Sequence, residues 1–236
     1  MPYATIRRCV VGEQPNPAFP QQQPLASYRP LLREVLAATE AACLSAGRPP
    51  VGYSVELKSS PAGDSFCHPR PLQFVELVLA ELAVAGVLSR TTLLSFDRRI
   101  LQAARQLLPV LPVCLLSEEP TPANLLFEQL GFVPDTFGPD FRLLSLGVVQ
   151  GLATRYPHLR LSTLDCQCPP RPTPGNRLAG SRDYYRLPRR FTCAFGVTYS
   201  TPPYCKSRKA DKCHKLFCYI ITTTLHLSLL CNCILF

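Results

Sequence analysis

The chain has 236 residues, 47% of them apolar and 17% charged, which excludes a disordered or coiled-coil protein and suits a packed domain. The net charge of +9 is unevenly distributed, because residues 1–165 carry 14 basic and 14 acidic side chains and residues 166–236 carry 11 and 2. Eight of the 12 cysteines also lie after residue 165. The composition therefore predicts a neutral globular part followed by a basic, cysteine-rich tail.

The elements predicted in chain order alternate between helix and strand. Residues 1–30, with clustered prolines and glutamines, predict a loop-rich segment, and no apolar signal peptide follows Met1. Hydrophobic periodicity predicts helices over 31–46, 71–85, 98–108, 122–130 and 146–156. It predicts strands over 51–58, 91–95, 113–116 and 133–137. This order predicts an α/β protein of parallel β/α units, in either an open doubly wound sheet or a closed barrel.

The first strand carries two charged residues on one side. Glu56 and Lys58 are two positions apart, so their side chains face the same way near the carboxyl end of the strand. Active sites of parallel β/α barrels form at that end. A carboxylate can bind a hard divalent cation, and an ammonium group can bind phosphate oxygens. The same spacing also suits an ordinary ion pair on a solvent-exposed strand face.

Four sequence blocks widen the context of this pair: V-E-L-K-S-S-P-x-G-D, H-P-x-P-x-x-F-V-E-L-V-L-A-E-L, T-L-L-S-F-D-R-R-x-L and L-G-F-V-P-D-T-F-G-P-D. In order and spacing, over residues 33–156, they resemble the glycerophosphodiester phosphodiesterase family. The resemblance implies an incomplete TIM (β/α)8 barrel holding strands 4 to 7 and their helices, over residues 31–160. It also implies a small-molecule substrate, a glycerophosphodiester, hydrolysed to glycerol 3-phosphate and an alcohol with a divalent metal, Ca²⁺ or Mg²⁺.

The resemblance assigns roles to particular residues. Glu56 matches a metal ligand of the family, and Lys58 matches the lysine that contacts the phosphate. Ser95 and Asp97 fall in the family's S-F-D segment and are expected to support the site. His68 lies in the loop after the Glu56 strand, where it either supports the site or is simply solvated.

The family's acid–base histidines are not found in this sequence. They lie in H-R-G and H-D motifs, the latter after a metal-binding E-x-D, and none of the four histidines here has such a context. We therefore expect a fragment with one metal ligand of three, greatly reduced divalent affinity and no hydrolytic activity of its own. An open barrel should also leave strand edges unpaired. A further hypothesis is that a separate fragment supplies the first two strands.

The tail over 161–236 is interpreted as a reading-frame change. Read one base later, 162–168 can encode V-P-W-T-V-N, the family's eighth strand, and the segment from 182–189 can encode its closing G-I-I-T-D-Y-P-D. Two matches in one frame and in order suggest that the frame departs from the ancestral one near residue 160. This hypothesis explains the charge break and the excess of cysteine without a function for the tail.

Other features of the tail bear on an alternative function. Cys205, Cys213, His214 and Cys218 do not have standard zinc-ligand spacing. The apolar run 216–236 follows three lysines and is long enough to span a bilayer. The alternative is a membrane-anchored or basic-tail binding protein without catalysis. No nucleic-acid motif surrounds the basic residues, and the sequence leaves localisation and oligomeric state open.

Overall fold

The computed structural model describes residues 2–15, 17, 22–163 and 218–223. Its helices are α1 (Tyr3–Arg7), α2 (Leu32–Ser45), α3 (Pro71–Val84), α4 (Arg98–Leu107), α5 (Ala123–Leu130) and α6 (Leu146–Arg155). Its strands are β1 (Gly52–Leu57), β2 (Thr91–Ser95), β3 (Val113–Ser117), β4 (Thr136–Pro139), β5 (Arg160–Leu161) and β6 (Cys218–Thr223). These residues form two compact units, one of residues up to Val113 with 218–223 and one of 114–163.

In the first unit, β1 pairs with a neighbour along each edge. Strand β2 runs parallel to β1, with Tyr53 opposite Thr91 and Glu56 opposite Leu94. Strand β6 runs antiparallel to β1 along the other edge, with Leu57 opposite Cys218. The sequence did not predict a strand over 218–223. The expectation of an unpaired edge is therefore wrong for β1.

The helices of the first unit bury the apolar faces that their periodicity predicted. On α3 the buried side chains are Phe74, Val75, Val78 and Leu82, at helical spacings of one, three and four. On α2 they are Leu32, Leu36 and Cys43. Each large apolar side chain removed from water contributes about 2 kcal/mol, so these faces, with the β1 residues Val55 and Leu57, form the core.

The first 30 residues contain a helix where the sequence predicted only loop. Tyr3 and Arg7 of α1 both contact Glu34 in the first turn of α2: the Tyr3 hydroxyl donates to Oε2 at 2.9 Å and Arg7 Nη1 to Oε1 at 2.5 Å. A five-residue helix is too short to persist in water alone. These contacts across about 30 positions explain why local sequence reasoning missed it.

In the second unit, β3 pairs with β4 and β4 pairs with β5, and both pairings are parallel. Cys114 lies opposite Thr136, and Thr136 lies opposite Arg160. Strand β4 begins three residues later than the predicted start at 133, because α5 ends at Gly131 in the left-handed region (φ +88°) and the chain then has to turn back. In the described residues, no helix combines the length and the apolar content that crossing a bilayer requires.

Candidate functional site

The carboxyl ends of β1 and β2 lie side by side because the two strands are parallel and in register. Ser95 Oγ donates a hydrogen bond of 2.7 Å to the backbone carbonyl of Leu57. The same Oγ accepts a bond of 3.0 Å from the backbone N–H of Asp97. A buried hydroxyl that both donates and accepts fixes the two strand ends relative to each other.

A cleft of about 180 Å³ opens at these strand ends. It is lined by Leu57, Lys58, Ser59, Ser95, Phe96 and Asp97. Its volume is below the roughly 300–1,000 Å³ of sites for drug-sized ligands and suits one small polar group. Three predicted site residues, Lys58, Ser95 and Asp97, line the cleft. Ser59 and Phe96 also line it, and sequence reasoning did not select them.

Glu56 lies beside this cleft and does not line it. Its side chain is 8% exposed, whereas that of Lys58 is 42% exposed, and Glu56 Oε1 lies 3.9 Å from Lys58 Nζ. The expectation that both side chains lie on the same side of the strand end is confirmed. This distance is that of an ion pair, which agrees with the interpretation of Glu56 and Lys58 as a simple ion pair. That interpretation also expected an exposed pair, but the Glu56 carboxylate is buried. The pair therefore does not lie on an open strand face.

Asp97 is the residue immediately before α4, and its carboxylate receives several donors. Oδ1 accepts from the backbone N–H and Nε of Arg99, both at 3.0 Å. Oδ2 accepts from Ser59 Oγ and Arg99 Nη2, both at 2.7 Å. Burial by itself raises the pKa of Asp97, but the bonds from Arg99 and Ser59 outweigh it, so the pKa lies below its ordinary value. Asp97 therefore stays ionised and fixed in position at neutral pH.

Arg99 connects Asp97 to the loop that follows β1. Its Nη1 and Nη2 donate to the two oxygens of Asp64 at 2.7 and 3.2 Å. These bonds hold the pKa of the Asp64 carboxyl below its ordinary value. Sequence reasoning missed both residues, although one local signal was available: a helix-capping aspartate followed two positions later by arginine.

His68 is buried, at 8% exposed, so the interpretation of a simply solvated loop histidine is wrong. Its Nε2 accepts from the backbone N–H of Ser60 at 3.1 Å, and Nδ1 lies 2.8 Å from the carbonyl of Pro69. An amide can only donate and a carbonyl can only accept, so the proton of the neutral ring lies on Nδ1. The ring also stacks on Phe74 at 6.0 Å. His68 thus organises the loop from within.

A divalent metal of the kind that the resemblance implies does not fit the described residues by themselves. Ca²⁺ takes six to eight oxygen ligands, and Mg²⁺ takes six. Among the residues that the structure describes, no three His, Cys, Asp or Glu side chains gather to hold a metal. Glu56 offers one carboxylate, and its neighbour Lys58 is a cation. Cys205, Cys213 and His214, whose spacing did not favour zinc, lie outside the described residues, as does the side chain of Cys218.

Similarity between this chain and known proteins was found among solved structures. No protein-family model matches the chain, and no curated protein does. A solved structure from Silicibacter pomeroyi DSS-3, assigned as a glycerophosphoryl diester phosphodiesterase, is similar at 26% identity with a TM-score of 0.55. It covers 70% of this chain, which spans 57% of that protein's length.

Two further solved structures, a glycerophosphodiester phosphodiesterase and a phosphodiesterase, are similar at lower identity. One is from Galdieria sulphuraria, at 14% identity and a TM-score of 0.49, covering 69% of this chain and 56% of its own. The other is an Oleispira antarctica phosphodiesterase in complex with the product sn-glycerol-3-phosphate, at 15% identity and a TM-score of 0.44. It covers 69% of this chain and 57% of its own.

Strand–helix alternation with a cleft at the carboxyl ends of parallel strands defines an α/β protein, and the match to the Silicibacter pomeroyi structure identifies the fold as part of a TIM barrel. The match to the Silicibacter pomeroyi structure supports the resemblance to the glycerophosphodiester phosphodiesterases that the sequence blocks indicated. The alternative, a membrane-anchored or basic-tail binding protein, depends on 166–236, and only 218–223 of that segment are described. Nothing within the described residues favours it.

Proposed function

We propose that this chain is a partial glycerophosphodiester phosphodiesterase domain whose cleft binds the phosphate group of a glycerophosphodiester through Lys58. We further propose that it does not hydrolyse the ester on its own. The observation that carries the proposal is the position of Lys58: its cationic side chain lines a small cleft at the carboxyl ends of two parallel strands. An anionic phosphate in that cleft gains a charge-assisted hydrogen bond from the ammonium group.

Hydrolysis needs groups beyond Lys58. A phosphodiester gains charge at phosphorus during attack, and its leaving oxygen needs a proton. In the cleft the titratable side chains are Lys58 and Asp97, and the bonds to Ser59 and Arg99 keep Asp97 an ionised acceptor. The buried His68 hydrogen-bonds through both ring nitrogens within its own loop. Of these residues, Lys58 supports binding of the phosphate, whereas Asp97 and His68 are engaged by their own partners and bring no proton to the leaving group.

Glu56 is proposed as one ligand of a divalent ion whose remaining ligands come from outside the described residues. In this chain alone we expect Ca²⁺ and Mg²⁺ to bind no more tightly than to an exposed carboxylate. Titration calorimetry of the full chain with each ion tests this. Saturable binding at micromolar concentration that disappears in Glu56→Ala would show that this chain completes a metal site.

The phosphate site is tested by titrating the full chain with sn-glycerol 3-phosphate at low ionic strength. Replacing Lys58 by Ala should weaken binding about tenfold, since one charge-assisted bond is lost. Lys58→Arg should retain most of the affinity. Arg33→Ala is the matched control, because Arg33 is an exposed cation on α2 paired with Glu81 and is not part of the cleft. Equal affinity in the wild type and Lys58→Ala would refute the site.

The absence of activity is tested with glycerophosphocholine in the presence of Ca²⁺ or Mg²⁺. We expect no release of glycerol 3-phosphate above a sample that lacks the protein. Turnover that is lost in Glu56→Ala would overturn this part of the proposal and leave the phosphate site in place.

A further inference from the structure

A ring of polar contacts surrounds the loop that begins directly after Lys58. Its first link is the hydrogen bond from Ser59 Oγ to Asp97 Oδ2, at 2.7 Å. Ser59 is the next residue after Lys58, and Asp97 is fixed in turn by the start of α4. The backbone next to Lys58 is therefore attached to the end of β2, 38 positions further along the chain.

The second link is Arg99, whose guanidinium group hydrogen-bonds to two carboxylates. Nε and Nη2 bond to Asp97, and Nη1 and Nη2 bond to Asp64 in the middle of the loop. A planar group with several donors in fixed directions can make this double fork, and an ammonium group cannot. Arg99 thus holds the loop and the beginning of α4 in one arrangement.

The backbone from Ser59 to Asp64 closes the ring, and His68 packs against this stretch. The Nδ1 of His68 lies 3.8 Å from Asp64 Oδ1, and its Nε2 accepts from the N–H of Ser60, the neighbour of Ser59. Gly63 makes this approach possible, because a Cβ at that position would lie 2.5 Å from His68 Nε2. We name these contacts the anchoring ring; its members are Ser59, Ser60, Asp64, His68, Asp97 and Arg99.

We propose that Arg99 is a positioning residue that keeps Lys58 at the cleft by holding the anchoring ring closed. This inference rests on the proposed function of Lys58 as the phosphate contact. Arg99 itself is not among the residues that line the cleft. Its effect passes through Asp97 and Ser59 to the backbone next to Lys58. A merely structural Arg99 would change stability and leave the phosphate affinity of the folded protein unchanged.

The test uses Arg99→Lys, which keeps the charge and removes the double fork. Arg142→Lys is the matched control, because Arg142 also lies two positions after a capping aspartate, Asp140, and bonds to it through its N–H and Nε. Arg142 belongs to the second unit and makes none of the ring contacts given above. Titration with sn-glycerol 3-phosphate well below the unfolding temperature should show roughly fivefold weaker binding in Arg99→Lys, as expected for a displaced ionic contact. Arg142→Lys should bind as the wild type does.

A second variant and a second measurement separate this inference from the proposed function. Asp64→Asn removes the ionic half of the Arg99 fork and should weaken binding in the same direction. Lys58 is the only lysine before residue 206, so its acetylation is readily followed by peptide mass spectrometry. The acetylation rate of Lys58 should rise about twofold or more in Arg99→Lys, because the segment that carries it is freed. It should not rise in Arg142→Lys.

Each outcome decides one of the two proposals. Failure of the wild type to bind sn-glycerol 3-phosphate refutes the phosphate site, and the acetylation rate then decides the positioning role by itself. Unchanged affinity together with an unchanged acetylation rate in Arg99→Lys overturns the positioning role. Weaker binding in Arg99→Lys and Asp64→Asn, with normal binding in Arg142→Lys, supports it.

Discussion

Ser95 donates a 2.7 Å hydrogen bond to the backbone carbonyl of Leu57, and this bond joins the ends of two neighbouring parallel strands at the cleft. Both residues are fully buried. Without the hydroxyl, the carbonyl of Leu57 would lose a donor in a place where little water is available. The stability of the cleft and its geometry therefore depend on the same contact.

Replacing Ser95 by Ala should lower the free energy of unfolding by about 1–3 kcal/mol, since a buried acceptor loses its partner. Ser117→Ala is the matched control. Ser117 ends β3, is 5% exposed and accepts from the N–H of Glu119 at 3.1 Å, as Ser95 accepts from Asp97. Urea unfolding gives the free energy of unfolding of each variant. The difference between the two losses is the contribution of the bond from Ser95 to Leu57. A loss as large in Ser117→Ala as in Ser95→Ala would contradict this account.

Removing the negative charge of Glu56 should strengthen phosphate binding by this chain. The carboxylate lies 3.9 Å from Lys58 Nζ, where it partly neutralises the ammonium and repels a phosphate. Because Lys58 is 42% exposed, solvent screening limits the gain to about twofold or threefold. Titration of Glu56→Gln with sn-glycerol 3-phosphate measures it, and weaker binding than in the wild type would show that Glu56 assists the anion in another way.

Stability should decrease in acid because Asp97 and Asp64 both have pKa values below the ordinary 3.8. A carboxyl group with a lowered folded-state pKa contributes its full stability above the unfolded pKa. That contribution is lost as the pH falls through the folded one. We therefore expect a plateau at neutral pH and a decline that begins near pH 4.

The acid decline is assigned by comparing Asp97→Asn with the wild type. Denaturant unfolding between pH 7 and pH 3 should show that the variant is less stable at pH 7 and that the two curves approach each other in acid. A constant gap over the whole range would mean that Asp97 does not contribute to the decline.

Replacing Gly63 by Ala should destabilise the protein, whereas Gly151→Ala should stabilise it. A methyl group at residue 63 would lie 2.5 Å from His68 Nε2, so the ring would have to move away from Ser60. Gly151 is inside α6, where an added Cβ would meet no atom of another part of the chain within 4 Å, so alanine there should gain about 0.5–1 kcal/mol of helix stability. Thermal unfolding of both variants checks the contrast, and a wild-type Tm for Gly63→Ala would contradict the tight contact.

The reading-frame hypothesis predicts the effect of restoring one base. A gene advanced by one base after codon 161 should continue β5 as V-P-W-T-V-N and introduce a tryptophan into a chain that has none. We expect blue-shifted tryptophan fluorescence and a Tm higher by at least about 4 °C, from the longer strand. Advancing the gene by two bases is the control. Tryptophan emission at the wavelength of a solvent-exposed side chain, together with an unchanged Tm, would refute the hypothesis. DNA that shows no change of reading frame between the domain and the tail would also refute it.

Much of the fold could be predicted because it depends on local pattern. The helices α2 and α3 bury side chains at helical spacing, and the predicted bounds of β2, 91–95, are the observed ones. The spacing of Glu56 and Lys58 also sufficed to place both side chains on one side of the strand end. The resemblance to the phosphodiesterases rested on short contiguous blocks of sequence. Each block can be recognised by itself, so the resemblance was visible although the chain spans 57% of a similar structure.

The sequence by itself determined the order of elements and the two charged residues at the end of β1, since both follow from spacing along the chain. Only the tertiary structure decided which partners those residues have. Arg99 meets Asp64 across 35 positions, and Tyr3 meets Glu34 across 31. Contacts of that separation form when packing brings distant segments together, and no periodicity within either segment records them.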